Sequence, residues 1–396
     1  MTGPASAFKI TRVRLRHYRS IAACDVRLGK LGLLVGPNGS GKSNFLDSMR
    51  LTSDALDTTL DHALRDRGGI AEVRRRSTGH PTHFRIELNF ATADQTGSYS
   101  FQIAAVKGGD FRVSHEDCVV RPAMFGGEDS FYRVRDGELV ASSEAFMPAV
   151  SDDRLYLVSA SSVGPFRMVF DGLRAITVYS INPDVMRGLQ KPDSGEILRR
   201  DGSNAASVLE RLRREAPMSK ERIEDYLRLV VPGIDGVDRV SLDSWEALEF
   251  RQDTAGSSRP WSFRGSSMSD GTLRALGVLL ALFSTSRSAS TIGIEEPEAA
   301  LHPAAAGVLL DALRDASEQR QVLVTSHSPD LLDDVSVTTN ELVAVRLVDG
   351  GTHLARPDLA GREALADSLF TAGELLRADQ LLPELPETQQ MSLSDV

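Results

Sequence analysis

Leu31-Gly32-Leu33-Leu34-Val35-Gly36-Pro37-Asn38-Gly39-Ser40-Gly41-Lys42-Ser43 is the stretch whose reading decides the fold. An apolar run leads into a glycine-rich octapeptide. A short apolar-periodic segment with Phe45, Leu46 and Met49 leads out of it. Strand, turn and helix in that order are the context of a P-loop. The chemistry explains the composition. A nucleoside triphosphate carries several negative charges that must be held without bulky side chains between them. Gly36, Pro37, Asn38, Gly39, Ser40 and Gly41 let the backbone curl so that successive N–H groups point at a β-phosphate, and the start of the helix adds its positive end. Lys42 can reach between β- and γ-phosphates, the Ser43 hydroxyl can ligate Mg²⁺, and Asn44 belongs to the same nucleotide-binding segment. The expected ligand is ATP or GTP.

A second strand ends in acids. Thr291-Ile292-Gly293-Ile294-Glu295-Glu296-Pro297-Glu298 reads as a buried parallel strand whose tip presents carboxylates. Glu295 is the expected holder of the Ser43-bound Mg²⁺, and Glu296 the expected general base for the attacking water. A third strand, Gln321-Val322-Leu323-Val324-Thr325, ends in Ser326-His327-Ser328. His327 is a candidate to contact the lytic water or the γ-phosphate. Met268-Ser269-Asp270-Gly271-Thr272 opens a helix with Leu276, Leu279, Leu280 and Phe283. Ser269 suits its N-cap and Asp270 its first turn. Gly271 permits close approach of a phosphate, and such a helix end can grip the γ-phosphate of a nucleotide bound to another copy of the chain.

The chain has 396 residues, 41% hydrophobic and 25% charged, with a formal net charge of -10. That balance opposes a surface given over wholly to polyanion binding, while leaving room for a local basic groove. Cys24 and Cys118 are the only cysteines, too few for a disulfide framework or a cysteine-based zinc site. No N-terminal segment resembles a signal peptide. The longest strongly apolar stretch, Leu276–Phe283, is too short to cross a bilayer, so a cytoplasmic protein is expected.

Elsewhere the patterning is coarser. Leu15-Arg16-His17-Tyr18-Arg19-Ser20-Ile21 is a basic, aromatic patch just ahead of the glycine-rich loop, with Arg19 a candidate for the base and α-phosphate or merely a strand end. Residues 52–80 look irregular, and Arg74-Arg75-Arg76 suits a phosphate backbone or an ordinary solvated face. Phe84, Ile86, Leu88 and Phe90 alternate with polar residues, Tyr99, Phe101 and Ile103 repeat the pattern, and Asp136-Gly137 signals a hairpin. Ser203 or Asn204 and then Ser219 are expected helix caps. Arginines 199, 200, 211, 213 and 214 form a second candidate basic face. Strands are expected at 237–242 and 247–250, a loop at Gly256-Ser257-Ser258, and a disordered tail over 381–396.

This set, in this order, resembles the ABC-type ATPase head of the SMC and RecF group, and more closely the compact AAA-21-like ATPases related to the OLD family. The resemblance covers roughly residues 8–380. It rests on Walker A at 36–43, the signature Ser269-Asp270-Gly271-Thr272, and Walker B at 291–296. The D-loop-like Ala299-Ala300-Leu301-His302-Pro303 and the switch residue His327 complete it. It implies an α/β fold: a P-loop NTPase of ABC-ATPase type with an antiparallel β-subdomain and an inserted helical lobe carrying the signature. The implied boundaries are 1–181 and 286–380 for the two parts of the ATPase lobe and 182–285 for the helical lobe. ATP and Mg²⁺ are the implied cofactors, and a homodimer sandwiching ATP is the implied assembly. DNA repair with double-stranded DNA, or a defence system with a separately encoded effector, is the implied setting; a scaffold that clamps a partner protein with little turnover is the alternative. The departures are Glu295 where many relatives have aspartate, Asp270 where transporters have glycine, no evident Q-loop glutamine, no coiled coil, and no nuclease domain after the head.

Overall fold

The computed structural model describes residues 8–77, 81–123, 127–151, 153–253, 260–284 and 290–385. The loop expected at Gly256-Ser257-Ser258 and residues 386–396 of the expected tail lie outside the described residues.

The chain opens with strands β1 (Lys9–Tyr18), β2 (Ile21–Arg27) and β3 (Leu31–Val35). Helix α1 (Lys42–Asp57) leaves the glycine-rich loop, followed by the short α2 (Leu60–Arg65) and α3 (Ile70–Val73). Residues 52–77 are therefore more ordered than their polarity suggests. Thr59 starts α2 by accepting a hydrogen bond from the His62 N–H. Antiparallel strands follow: β4 (His83–Ala91), β5 (Gln95–Ala105), β6 (Phe111–Pro122), β7 (Ser130–Arg135) and β8 (Glu138–Ser142). Phe84, Ile86, Leu88 and Phe90 are all buried, as period-two alternation requires. The β7–β8 hairpin turns on Asp136 (φ 45°) and Gly137 (φ 84°), both left-handed as a two-residue hairpin loop demands.

Helices α4 (Leu157–Ala160) and α5 (Gly164–Arg174) precede β9 (Thr177–Tyr179), α6 (Pro183–Arg187), α7 (Ala205–Glu215) and α8 (Pro217–Val230). Next come β10 (Ile234–Leu242), β11 (Trp245–Gln252), β12 (Trp261–Arg264) and helix α9 (Asp270–Phe283). The chain continues with β13 (Thr291–Glu295), α10 (Ala306–Ser317), β14 (Gln321–Ser326), β15 (Leu342–Val348), β16 (Gly351–Ala355), α11 (Leu359–Ala366) and α12 (Ala372–Arg377).

These elements fall into two compact units. The first comprises Met1–Ile176, Thr338–Phe370 and Ala378–Val396. The second comprises Thr177–Val337 and Thr371–Arg377. The signature helix and the acidic strand thus share one unit, whereas Thr338–Phe370 returns to the unit of the phosphate loop.

In the first unit the strand order is β8-β7-β6-β5-β4-β1-β2-β16-β15-β3. The antiparallel strands are not a separate subdomain. β4 pairs with β1 from Lys9↔Ala91 to Arg16↔Arg85, so they continue the sheet that carries the phosphate loop. Residues 381–385 are also ordered, contrary to the expected tail. Leu381 is buried, Pro383 bridges to Pro357, and Glu384 pairs with Arg362 at 3.0 Å. Apolar burial outweighs the proline and acid content there.

In the second unit β14, β13 and β9 run parallel in that order. β10, β11 and β12 form a separate antiparallel sheet, with β10 and β11 covering the strands expected at 237–242 and 247–250. α9 is apolar on every face and buried from Ala275 to Leu282, the pattern of a central helix. Tyr226 of α8 stacks on Phe283 of α9 at 5.5 Å, and its hydroxyl donates to Asp315 of α10 at 3.0 Å. The two expected caps fail locally. Asn204 precedes α7, yet its Oδ1 accepts from the Arg199 N–H, and Gln190 Oε1 takes the Ala206 N–H instead. α8 starts at Pro217, which needs no N–H partner, leaving Ser219 inside the helix.

One buried acid ties the antiparallel sheet to the following helices. Glu116 Oε1 accepts from the Tyr99 and Tyr132 hydroxyls (3.0 and 2.9 Å) and the Leu157 N–H (2.8 Å). Its Oε2 accepts from the Tyr156 N–H at 2.6 Å. Burial pushes the carboxyl up to about 7, against the four donors that favour the charged form. The folded chain therefore holds this proton where the unfolded chain has lost it. Stability from this group is complete below about pH 4.5 and is lost as pH rises through about 7, by up to about 3 kcal/mol. The unfolding free energy of the wild type should accordingly fall relative to Glu116→Gln between pH 5 and pH 7.5. A constant difference across that range would contradict it.

Candidate functional site

The glycine-rich loop at residues 36–41 is built from outside as much as from within. β3 delivers the chain to Gly36, and α1 begins at Lys42 behind Gly41, whose φ of 102° is left-handed. A Cβ on Gly36 would lie 2.0 Å from the Val345 carbonyl oxygen of β15, so only glycine fits. Thr352 of β16 donates its hydroxyl to the Ser40 carbonyl at 2.8 Å and lies 2.6 Å from Ser20 Oγ. Asn44 Nδ2 donates to the same Ser20 oxygen at 2.7 Å. Lys42 is buried, and its ammonium donates to the Gly36 and Pro37 carbonyls at 2.8 and 2.9 Å. Ser43 is exposed at the helix start. Pro37, Asn38 and Gly39 are exposed along the loop crest.

Arg19 sits in a left-handed turn (φ 47°) and pairs with Asp47 of α1 at 2.9 Å. Asp47 also accepts from Tyr18 (2.8 Å) and the buried Arg67 (3.0 Å). The arginine run is docked rather than freely solvated. Arg75 N–H donates to the His17 carbonyl and Arg19 N–H to the Val73 carbonyl, both at 2.7 Å. Arg19, Ser20, Asn44, Arg74 and Arg75 line one cleft of about 310 Å³. Arg76 remains exposed and pairs with Glu72.

In the second unit β13 ends at Glu295, whose carboxylate lies 3.7 Å from Arg200 Nη2. Glu296 has a φ of 44°, an unfavourable conformation for a glutamate, held by its N–H donating to the Thr325 carbonyl at 3.0 Å. Such strain is retained where the surroundings impose it, frequently at functional sites. His327 Nδ1 lies 3.2 Å from Glu296 Oε1, within ion-pair range but outside hydrogen-bonding geometry. Glu298 is the clasp between these strand ends. Its Oε1 accepts from Ser326 Oγ at 2.6 Å and the His327 N–H at 3.4 Å, and burial raises its pKa above the ordinary glutamate value.

The signature helix is capped as expected, Ser269 Oγ accepting from the Thr272 N–H at 3.2 Å. Arg187 braces it through the Met268 carbonyl (2.7 Å) and Asp270. A Cβ on Gly271 would lie 2.4 Å from the Ala300 carbonyl, so this glycine packs the helix start against the D-loop-like turn.

The structure thus gathers Gly36 to Asn44 in one loop and helix start, with Arg19 on the flank, and separately Glu295, Glu296 and His327 at neighbouring strand tips. Sequence reading missed Thr352, Ser20 and Glu298. Thr352 carries no local signal, whereas Glu298 lies inside the acidic phrase and only its burial reveals its part. The turn that emerges beside Glu295 is Ser180-Ile181-Asn182, because β9 pairs Tyr179 with Ile294.

A family model described as "AAA domain, putative AbiEii toxin, Type IV TA system" matches residues 186–333, which include the signature, the acidic strand and His327. No curated protein matches the chain. Among solved structures, the chain is similar to an SMC head bound to the C-winged helix domain of ScpA. That likeness has 12% identity, covers 89% of this chain and 99% of that one, and has a TM-score of 0.56. A Pyrococcus furiosus SMC head with an extended coiled coil, bound to the C-terminal domain of ScpA, has 13% identity, coverage of 91% and 99%, and a TM-score of 0.50. The fold is therefore the mixed α/β fold of an SMC-type ATPase head. With the family match, it supports a nucleotide-binding ATPase in general terms. No described helix is long and apolar enough to cross a membrane.

Glu298→Ala removes the acceptor that joins Ser326 and the His327 backbone, and should cost about 1–3 kcal/mol of stability. Glu298→Gln, which keeps an acceptor oxygen, should cost less. A denaturation midpoint unmoved in Glu298→Ala would show that the clasp carries nothing.

Proposed function

We propose that this chain is a Mg²⁺-dependent ATPase whose ATP-bound form pairs two copies head to tail and whose hydrolysis separates them. The observation that carries the reading is the loop 36–43: a backbone made open by glycine, at a helix start, with the Lys42 ammonium folded onto its carbonyls. Those carbonyl bonds are ones that a bound phosphate chain can replace.

Lys42 and the loop N–H groups hold the β- and γ-phosphates. Arg19 serves the α-phosphate side. Ser43 and Glu295 would hold the metal. Among the described residues, no group of three or more His, Cys, Asp or Glu could hold a metal ion. An exposed hydroxyl and one carboxylate are still a fitting donor set, because Mg²⁺ commonly takes one or two protein oxygens together with substrate phosphates. When bound, Mg²⁺ neutralises charge that develops on the phosphates. Glu296 takes the proton of the attacking water, and His327 orients that water. Ser269 and Gly271 of a second copy complete the γ-phosphate site, so that each nucleotide belongs to two chains.

The process served is DNA maintenance, or a defence system in which this ATPase controls a separately encoded effector. The description of the matched family and the SMC-head fold support those settings. A protein-clamping scaffold is the second reading. It is favoured by the arginines of α7, where Arg213 pairs with Glu210 at 2.8 Å and Arg211 with Glu215 at 2.8 Å. That pairing reduces the local charge excess a DNA-binding face needs.

Lys42→Ala should abolish nucleotide binding, measured with a fluorescent ATP analogue. Glu296→Gln should bind ATP, lose about 10²–10⁴-fold in turnover, and sediment as a dimer with Mg-ATP. Normal turnover in Glu296→Gln would remove it as the base. Duplex DNA should stimulate ATP turnover in a salt-sensitive way under the DNA reading and leave it unchanged under the scaffold reading.

A further inference from the structure

The second unit contains a polar cavity that the nucleotide roles above do not use. It has a volume of about 440 Å³, opens to solvent, and is lined by Ser180, Ile181, Asn182, Arg200, Asp201 and Arg274. The walls are tied together. Ser180 N–H donates to the Arg200 carbonyl and Asn182 N–H to the Asp201 carbonyl, both at 3.0 Å. Arg274 projects from the second turn of α9, the helix that the signature opens.

The arginines are what set this cavity apart. The Nε of Arg200 and that of Arg274 are each shielded from solvent without a hydrogen-bond partner. Arg200 has one weak compensation, the Glu295 carboxylate at 3.7 Å, and no described acid or acceptor pairs with the Arg274 guanidinium. A shielded Nε without an acceptor costs stability, and two arginine side chains among six lining residues give the cavity an excess of positive charge. Asp201 is the carboxylate that shares the lining, and its Oδ1 is already engaged by the Ser203 N–H at 3.0 Å. The forked donors of arginine match tetrahedral oxyanions, to which they can offer paired hydrogen bonds.

We propose that this cavity binds a phosphate-type oxyanion, held by Arg274 and Arg200, and that its occupant is inorganic phosphate. The position suggests the source. β9 pairs with the strand that ends in Glu295, so the Ser180–Asn182 wall adjoins the acidic strand tip. Phosphate released by hydrolysis there has a guanidinium-lined stop on its way to solvent. This source rests on the ATPase reading, whereas the binding site itself does not.

The test is isothermal titration of the full-length Lys42→Ala chain with inorganic phosphate at constant ionic strength. The Lys42→Ala background takes the phosphate loop out of the signal. Saturable binding is expected, weakened about tenfold or more when Arg274→Gln or Arg200→Gln is added. Arg274→Lys, which keeps the charge without the fork, should fall between, and it guards against a glutamine variant that fails to fold. Absence of saturable binding, or binding indifferent to both arginine changes, overturns the proposal. Dimethyl phosphate binding as tightly as inorganic phosphate overturns the assigned occupant, since a diester cannot be the hydrolysis product. Arginine-dependent phosphate binding, together with a wild-type chain that hydrolyses no ATP, would uphold the site and reject the ATPase reading separately.

Discussion

A loop rich in glycine has few side chains with which to hold itself. That constraint governs the first unit. Gly36 is pressed against the Val345 carbonyl, and Thr352 pins Ser40 while sharing Ser20 with Asn44. The loop at residues 36–41 is thus shaped by strands more than 300 residues later in the chain, which explains why Thr338–Phe370 belongs to its unit. Without β15 and β16 the glycines would pay their conformational entropy with nothing to fix the curl.

The second unit solves a related problem with acids instead of amides. Carboxylates at a strand tip repel one another and prefer water, yet these are held in set directions. Glu295 has Arg200 nearby, Glu296 is turned by a left-handed backbone, and Glu298 is a half-buried hydrogen-bond acceptor. The three acids of the sequence phrase therefore have three different environments. Gly271 lets the signature helix start against Ala300, so the D-loop-like turn and the signature are braced on each other within one chain.

Strong periodicity was readable directly. The alternation of β4 and β5, the buried runs of β13 and β14, the Asp136-Gly137 turn and the Ser269 cap all follow from local chemistry and stand as expected. Competing polar partners defeated other local readings. Asn204 was drawn to the Arg199 N–H and Pro217 began α8 ahead of Ser219. Arg74 and Arg75, ambiguous as a charge run, became neighbours of Arg19 because Val73 and His17 carbonyls dock the segment to the end of β1.

The sequence by itself determined the glycine-rich loop between strand and helix, the acidic strand, the Ser269-capped helix and the α/β class, because each depends on a spacing of a few residues and on backbone preferences that glycine, alternation and caps express locally. Only the tertiary structure decided that the antiparallel strands extend the β1 sheet, that Thr352 and Glu298 are the supports, and that Arg200 and Arg274 line one cavity. Those facts depend on contacts between residues far apart in the chain. A threonine, a glutamate or an arginine carries no local mark of whether its partner will be water or another part of the fold.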